Sequence, residues 1–448
     1  MSAKEKTLNM TEGSCVKLLL VFALPMLVGN IFQQIYNLVD SVIVGRIIGA
    51  DALAAIGATS SVTFLFFALC NGIGSGGGII ASQFFGNNDT QGVKKTIANT
   101  GYVMLVFPTI VGIAAFMLSK PLLTALDTPA NIIDDADIYI KVMCVGIVFV
   151  SGYNFVSSML RALGDSKTPL YFLVFSCALN GVLDYLFVAI FHKGVFGAAV
   201  ATVISQFISG AGCVIYAVKC NSYFKLSKAD FKIDLNIIRR TMKLGIPLSL
   251  QFSLIAISCM ALQRVVNSFG EVAVAAFTAT SRIEQLIHQP YGTLSAALAT
   301  YTGQNFGAKK LNRVKEGFVK SMIMMTVFTL VMWPLMSFCG RWVVNLFVTE
   351  EAVIVMGAKS LIITSIFYFS LGTINIIRGV QNGLGDGFFA MFNGIVEVIL
   401  RFTVPIFLTS LPIFGVWGIW WAVGIVWFIS AVTCYVRYEY YRRRKVQF

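Results

Sequence analysis

The chain has 448 residues, of which 57% are hydrophobic and 12% are charged. An average soluble domain carries about 25% charged residues, so this composition excludes one water-soluble core and predicts an integral membrane protein. The formal net charge of +13 would suit a nucleic-acid partner. The basic residues stand in alternate loops, however, as membrane topology requires, and we therefore expect no nucleic-acid partner.

Twelve apolar stretches are long enough to cross a bilayer, which takes about 20 helical residues. They cover approximately 16–44, 53–82, 96–118, 136–160, 169–191, 195–218, 241–268, 274–300, 317–338, 353–381, 388–410 and 415–437. The polar opening 1–11 has no small-residue cleavage site, so we expect no removed signal peptide. The predicted fold class is an all-α integral membrane protein with twelve transmembrane helices.

The loop charges predict the topology of the chain. Loops on the side of the N-terminus carry most of the basic residues, and the longest of them holds Lys219, Lys225, Lys228, Lys232, Arg239 and Arg240. The C-terminal tail adds Arg442, Arg443, Arg444 and Lys445. The opposite loops hold the acidic residues Asp127, Asp134, Asp135, Glu350 and Glu351. By the positive-inside rule both termini are cytoplasmic, which requires an even number of spans and agrees with twelve.

An internal repeat divides the chain into two halves. Gln83–Gly86 (QFFG) recurs in the second half as Gln304–Gly307 (QNFG), and Leu163–Asp165 (LGD) recurs at the same offset as Leu384–Asp386. We expect these segments to shape cytoplasmic turns. Because each half has six spans, the halves are predicted to be parallel repeats related by a pseudo-two-fold axis along the membrane normal. The predicted domains are an N-lobe at 1–220, a basic cytoplasmic linker at 221–240, and a C-lobe with a basic cytoplasmic tail at 241–448.

Asp40 is a carboxylate inside the first predicted span. At the bilayer centre a charged group costs roughly 2.5–3.5 kcal/mol, so by default it marks an ion or substrate pathway. Gln33, Tyr36 and Asn37 precede Asp40 by seven, four and three residues and lie on the same helical face. We predict that these three residues contact substrate. The alternative is that Asp40 makes a single hydrogen bond to a neighbouring helix for stability.

The fifth span supplies a second carboxylate. Asn180 and Asp184 are four residues apart and project from one helical face, while Asn154 and Thr202 add polar oxygens from spans 4 and 6. Such oxygens suit a hard monovalent cation, and two desolvated carboxylates can instead share a proton. The residues leave Na⁺ and H⁺ open as the coupling ion. They also leave open a structural role, in which these side chains only join helices.

The second half carries different polar residues. Arg401 stands at the position that the repeat assigns to Asn180, with Glu397 one helical turn before it on the same face. The simplest interpretation is an intrahelical Glu397–Arg401 ion pair, and the alternative has both residues opening toward substrate. Glu284 and His288, also one turn apart, lie in span 8. We take all four as candidate substrate contacts, with a water-filled vestibule as the alternative for the span 8 pair.

Catalytic patterns are absent from the sequence. It has no nucleophile elbow, phosphate-binding loop or HExxH motif, and its nine cysteines stand singly, without a CxxC pair. We predict that the protein is not an enzyme and has no cofactor. Because no nucleotide-binding element is present, transport is expected to draw on an ion gradient or on the membrane potential.

Together these segments resemble the multidrug and toxic compound extrusion (MATE) transporters, in their DinF-like bacterial and archaeal branch. The likeness rests on the first span ending in VDSVIVGRIIGADALAAIGAT, the QFFG and GQNFGAKK span ends, the LRALGDSKTP loop and the LNGVLDYLF fifth span. The resemblance implies two six-helix lobes around a V-shaped cavity. It also implies a cation site in the N-lobe, formed by Asp40, Asn180, Asp184 and Thr202. These residues would bind Na⁺ if sodium is the coupling ion, and Asn154 would be a suitable fifth residue of the site. The NorM branch instead uses acidic residues in spans 7 and 10, and this chain has none within those spans.

The resemblance and the residues together predict a multidrug antiporter of the cell inner (cytoplasmic) membrane, coupled to Na⁺ or H⁺ and working by alternating access. Its expected partners are small-molecule drugs or toxic organic cations and the lipid bilayer, and we expect a monomer. The alternative is a lipid-linked saccharide flippase of the same superfamily. The two N-lobe carboxylates and the count of twelve spans argue against the flippase. A channel or a receptor would not need a pathway built from two repeated halves.

Overall fold

The structure, a computed structural model, describes residues 7–125 and 128–444. Residues 1–6, Asp127 and Lys445 of the predicted loops and tail lie outside this part. The long helices are α1 (Cys15–Ile47), α2 (Ala50–Gly86), α3 (Thr90–Ala125), α4 (Ile133–Ala162), α5 (Lys167–Asp184), α6 (Gly194–Cys220), α7 (Leu235–Asn267), α8 (Glu271–Gly307), α9 (Leu311–Asn345), α10 (Glu351–Ser365), α11 (Tyr368–Leu384), α12 (Gly387–Ser410) and α13 (Gly418–Arg444). The described residues form no strand.

The predicted all-α membrane fold is confirmed, and each predicted span has a helical counterpart. Helices α10 and α11 together correspond to the tenth predicted span, with a bend of 52° between them. Ten helices of the described chain are long and apolar enough to cross a membrane, and the bent pair makes eleven. Helix α8 is long enough but less apolar, because it carries Arg282, Glu284 and His288.

The chain forms two compact units, and two helices contribute to both of them. Unit 1 contains Leu24–Ser249, and unit 2 contains Met10–Ala23 together with the chain from Leu250 onward. These bounds differ from the predicted 1–220, 221–240 and 241–448. The start of α1 belongs to unit 2, whereas the 221–240 segment and the start of α7 belong to unit 1.

In unit 2, the segment ahead of α1 is anchored through its backbone. The buried Met10 donates its N–H to Gln304 Oε1 at 2.8 Å, and its carbonyl accepts from Asn305 Nδ2 at 3.1 Å. Arg313 donates to the Gly13 carbonyl at 3.0 Å. Gln304 and Asn305 belong to the QNFG segment, which we expected only to shape a turn. The segment instead forms the last turn of α8 and binds a neighbouring stretch of backbone.

Unit 1 anchors the segment ahead of α7, which is the equivalent of the segment ahead of α1 in the register of the repeat. Phe231, which corresponds to Met10 in the register of the repeat, accepts a hydrogen bond on its carbonyl from Tyr102 Oη at 2.9 Å. Asn99 accepts from the Asp234 N–H at 2.8 Å. Nearby, hydrogen bonds from the backbone and side chain of Ser227 and from Gln91 hold the pKa of Asp230 below its ordinary value. This docking explains why the predicted linker belongs to unit 1.

The LGD segments make the turns predicted for them. Gly164 follows α4 and Gly385 follows α11, with φ angles of +86° and +88°. A residue with a Cβ atom rarely adopts this left-handed conformation, so glycine ends the helix here with little strain. The following aspartates differ between the repeats. Asp165 accepts from the Thr168 N–H at 3.0 Å, whereas Asp386 accepts from Arg437 Nη2 at 2.9 Å.

The glycine-rich stretch of α2 lets α7 approach within unit 1. A Cβ on Gly72 would collide with the backbone of Ser249, and one on Gly76 would lie 2.7 Å from the backbone nitrogen of Gly245. Small residues permit such close helix contacts in membrane proteins. A Cβ on Gly74, by contrast, would meet only ordinary contacts, the nearest at 3.6 Å from Met104 Cε.

We expect Gly72→Ala to destabilise the protein by about 1–3 kcal/mol, because the added methyl group would push α2 away from the α7 backbone. Gly74→Ala is the matched control in the same helix, and it should leave stability unchanged or raise it slightly. Thermal unfolding of the purified, detergent-solubilised variants measures the difference. Equal unfolding temperatures for the two variants would contradict the contact.

Candidate functional site

Two carboxyl groups meet inside unit 1. Asp40 on α1 is half-buried and Asp184 at the end of α5 is fully buried, and their side chains lie within hydrogen-bonding range of each other. Directly after Asp184 the helix widens into a π-helical turn, Tyr185–Ile190. Such turns are rare and frequently occur at functional sites.

Asn180 connects this carboxyl pair to two other helices. Its amide, oriented to suit its neighbours, donates to Asp184 Oδ2 at 3.1 Å and to the hydroxyl of Tyr36 on α1. Its oxygen accepts from the Thr202 N–H of α6 at 3.1 Å. Three of the predicted cation residues therefore form one network with Asp40, and Tyr36 joins them.

One oxygen of each carboxyl group lacks a hydrogen-bond donor. Asp40 Oδ1 and Asp184 Oδ1 are both buried, and no described group donates to them. A carboxylate has only acceptors, so two facing carboxylates repel each other unless a proton or a cation lies between them. The site is therefore chemically suited to bind one positive charge.

Other predicted residues of unit 1 lie apart from this network. The Asn154 amide donates to the Val150 carbonyl of its own helix at 3.0 Å. Gln33 and Asn37 lie on the exposed face of α1. Tyr139 of α4, which the sequence did not single out, lies within electrostatic range of both carboxyl groups. A single tyrosine in an apolar helix gave no signal that would have identified it.

Unit 2 contains a buried ion pair that differs from the predicted one. Arg378 of α11 binds Glu397 of α12 at 2.7 Å, with side-chain exposures of 13% and 5%. Arg378 also donates to Asn393 Oδ1 at 2.8 Å through Nε, and Asn393 is fully buried. The predicted intrahelical Glu397–Arg401 pair is wrong. The i, i+4 spacing placed both residues on one face but could not show that an arginine from the next helix reaches Glu397 first.

Arg401 and the polar residues of α8 lie near this ion pair. Arg401 Nη1 donates to Cys259 Sγ at 3.0 Å. Glu284 is within electrostatic range of Arg401, and the exposed His288 is within range of Arg378, Glu397 and Arg401. The structure therefore brings the four predicted residues of the second half to one region of unit 2. Arg378 was not among the predicted residues, although an arginine inside the apolar run 353–381 indicates a functional or paired charge within a span.

The fold and these sites define a multi-pass α-helical membrane protein with charged groups inside its spans, a pattern typical of transport proteins. A family model described as MatE matches the chain twice, at residues 25–186 and 247–406. The chain belongs to this family, the MATE transporters, which confirms the resemblance seen in the sequence. The double match also agrees with the internal repeat, because each matched range falls in one half of the chain.

Named relatives cover nearly the whole chain. The "Probable multidrug resistance protein YpnP" of Bacillus subtilis (strain 168) is 32% identical over 443 residues, covering 98% of this chain and 98% of that protein. The "Multidrug export protein MepA" of Staphylococcus aureus (strain MRSA252) is 24% identical over 433 residues, covering 96% of this chain and 95% of that protein.

Solved structures share the fold at lower identity. A crystal structure of MATE in complex with MaL6 has a TM-score of 0.90 at 22% identity and covers 98% of both chains. An outward-facing multidrug resistance MATE family transporter of the MOP superfamily also has a TM-score of 0.90 at 22% identity, with 97% of each chain covered. These matches confirm the predicted fold.

Proposed function

We propose that the protein exports chemically varied, often cationic, small molecules from the cytoplasm in exchange for an inward-moving proton or sodium ion. The observation that carries this proposal is the Asp40–Asp184 contact, in which each carboxyl group has a buried oxygen without a donor. The names of YpnP and MepA support the substrate class. The protein acts as a monomer in the cytoplasmic membrane, with both termini in the cytoplasm, and needs no cofactor or catalytic step.

The hydrogen bonds around the pair favour a proton over sodium. A proton needs only the two carboxyl oxygens that lack donors. A sodium ion takes several oxygen ligands, as hard cations do. In the amide orientation that satisfies the protein neighbours alone, however, the Asn180 oxygen accepts from the Thr202 N–H, and its nitrogen faces Asp184. Sodium binding would therefore require the amide to rotate so that its oxygen joined the carboxylates. With the amide rotated, Asp40, Asn180, Asp184 and Thr202 are the residues that would hold sodium.

Binding of this charge is linked to export through α1, which carries Asp40 and contributes to both compact units. When Asp40 and Asp184 are both charged, they repel each other. This repulsion favours a position of α1 that differs from its position when a bound cation neutralises the pair. Coupling requires that substrate and cation bind with different affinities to these two states. One charge moving through about 100 mV supplies about 2.3 kcal/mol, which sustains roughly a 50-fold substrate gradient.

Dye export from proteoliposomes tests this proposal and names the ion. The lumen of the vesicles represents the cytoplasm, and a fluorescent organic cation is loaded there. A gradient of either protons or sodium, directed into the vesicles, is then imposed. We expect export of the dye to respond to the proton gradient and to stop when a protonophore is added. Asp40→Asn should lose the response, because an asparagine cannot bind a proton at this site.

The other outcomes are also informative. A response to sodium alone would assign the site to Na⁺ and require rotation of the Asn180 amide. If neither gradient drives export, antiport is contradicted, and lipid-linked saccharides become the substrates to test for a flippase.

A further inference from the structure

Arg401 lies in a membrane-spanning helix, and its guanidinium has no strong hydrogen-bond acceptor in contact with it among the described residues. Its Nη1 donates to the Sγ atom of Cys259, and a thiol is a weak acceptor. No described carboxylate oxygen lies within 4.0 Å of the guanidinium, since Glu397, one turn away on α12, is bound by Arg378. Charged groups inside a membrane protein normally pair with one another, with backbone carbonyls or with a ligand.

Glu284 on α8 supplies the opposite charge. Its Oε1 is buried and has no hydrogen-bond partner among the described residues. The Glu284 carboxyl lies within electrostatic range of Arg401 but forms no ion pair with it. Arg401 is only half-buried and His288, one turn along α8 from Glu284, is exposed, so the surface of unit 2 is open at this place.

We propose that Arg401 and Glu284 form a binding site for a zwitterionic ligand, a molecule with a carboxylate and a nearby cationic nitrogen. The planar guanidinium binds the carboxylate through paired hydrogen bonds, and Glu284 takes the cationic end. A purely cationic ligand would gain from Glu284 alone and would leave Arg401 without an acceptor. The physiological role of this site rests on the proposed transport function. Its ligand class follows from two side chains of opposite charge that form no ion pair with the described residues.

Two dyes that differ by a single ester test the site. Rhodamine 110 carries a free carboxylate beside its cationic ring system, and rhodamine 123 is the methyl ester of the same molecule. Fluorescence polarisation with the purified full-length protein gives the dissociation constant of each dye without any ion gradient. We expect Arg401→Gln to weaken binding of rhodamine 110 by about tenfold or more, and binding of rhodamine 123 by less than about twofold.

Matched variants separate this effect from general damage. Glu284→Gln should weaken binding of both dyes, because both carry the cation. Arg401→Lys should retain part of the affinity for rhodamine 110, and Arg341→Gln removes an exposed arginine of the same unit and should change neither dissociation constant. Equal losses for both dyes in Arg401→Gln, or no loss for either dye, would overturn the proposal.

A lipid headgroup with the same two charges is the other source of such a ligand. Displacement of bound rhodamine 110 by phosphatidylethanolamine, but not by phosphatidylglycerol, would assign the site to a lipid and overturn the soluble ligand. Since this is an equilibrium measurement, a failure of ion coupling in Asp40→Asn would leave the Arg401 result unaffected. The two hypotheses therefore fail separately.

Discussion

Replacement of Asp184 by asparagine is expected to abolish gradient-driven export while the protein remains folded. Asparagine has nearly the same shape and can still hydrogen-bond to Asn180, but it cannot share a proton or neutralise a cation with Asp40. Because the coupling charge would then have no site, we expect the export rate to fall at least about 100-fold, the loss that corresponds to about 2.7 kcal/mol. The measurement is the initial rate of dye export from proteoliposomes under an inward proton gradient.

The matched control is Asp134→Asn in the same unit. Asp134 is 79% exposed at its side chain and pairs with Lys120, so removal of its charge should leave export within about twofold of the native rate. Binding of the dye without a gradient should persist in Asp184→Asn, which separates lost coupling from lost folding. Export by Asp184→Asn at the native rate would contradict the carboxyl pair as the coupling site.

The Arg378→Met variant is expected to lose roughly 3–5 kcal/mol of stability, the usual cost of breaking a buried ion pair by removing one partner. Glu397 would remain 4% exposed with its charge uncompensated, and Asn393 would lose its guanidinium donor. The measurement is the thermal unfolding temperature of the purified variant in detergent. A fully functional variant with native unfolding temperature would contradict the importance of this pair.

Two further variants complete this test. Arg341→Met removes the arginine of an exposed pair, in which Arg341 and Glu351 are 66% and 64% exposed, and should cost at most about 1 kcal/mol. In the double variant, with Arg378→Met and Glu397→Leu, both charges of this ion pair are removed together. Its stability should recover most of the loss, as found when apolar residues replace a whole buried ion pair.

The sequence was sufficient for features that depend on local pattern. Runs of apolar residues located every span, and the recurring QxFG and LGD segments identified the repeat that the double family match supports. The helical spacing placed Asp40 with Tyr36, and Asp184 with Asn180, on single faces. The family resemblance implied that Asp40, Asn180 and Asp184 share one site, and the structure brings these three residues together with Tyr36.

The contacts between neighbouring helices were decided by the tertiary structure. Asn154 was predicted beside the carboxyl pair, but its amide binds the backbone of its own helix, and the role predicted for it stays untested. Glu397 has Arg401 one turn away, yet it pairs with Arg378 of the adjoining helix α11. Asn393, one turn before Glu397 on α12, also binds Arg378 and holds it in place. Spacing along one helix defines a face but does not determine which neighbour reaches it.

By itself, the sequence determined the class of the protein, the positions of its helices, the repeat and the faces that carry buried charge, because these follow from hydrophobicity and helical periodicity. Only the tertiary structure decided the partners of each charge and the division of α1 and α7 between the units. The physical reason is that an intramembrane charge is stabilised by whichever donor or acceptor packing brings within about 3 Å. That proximity arises between residues far apart in the chain.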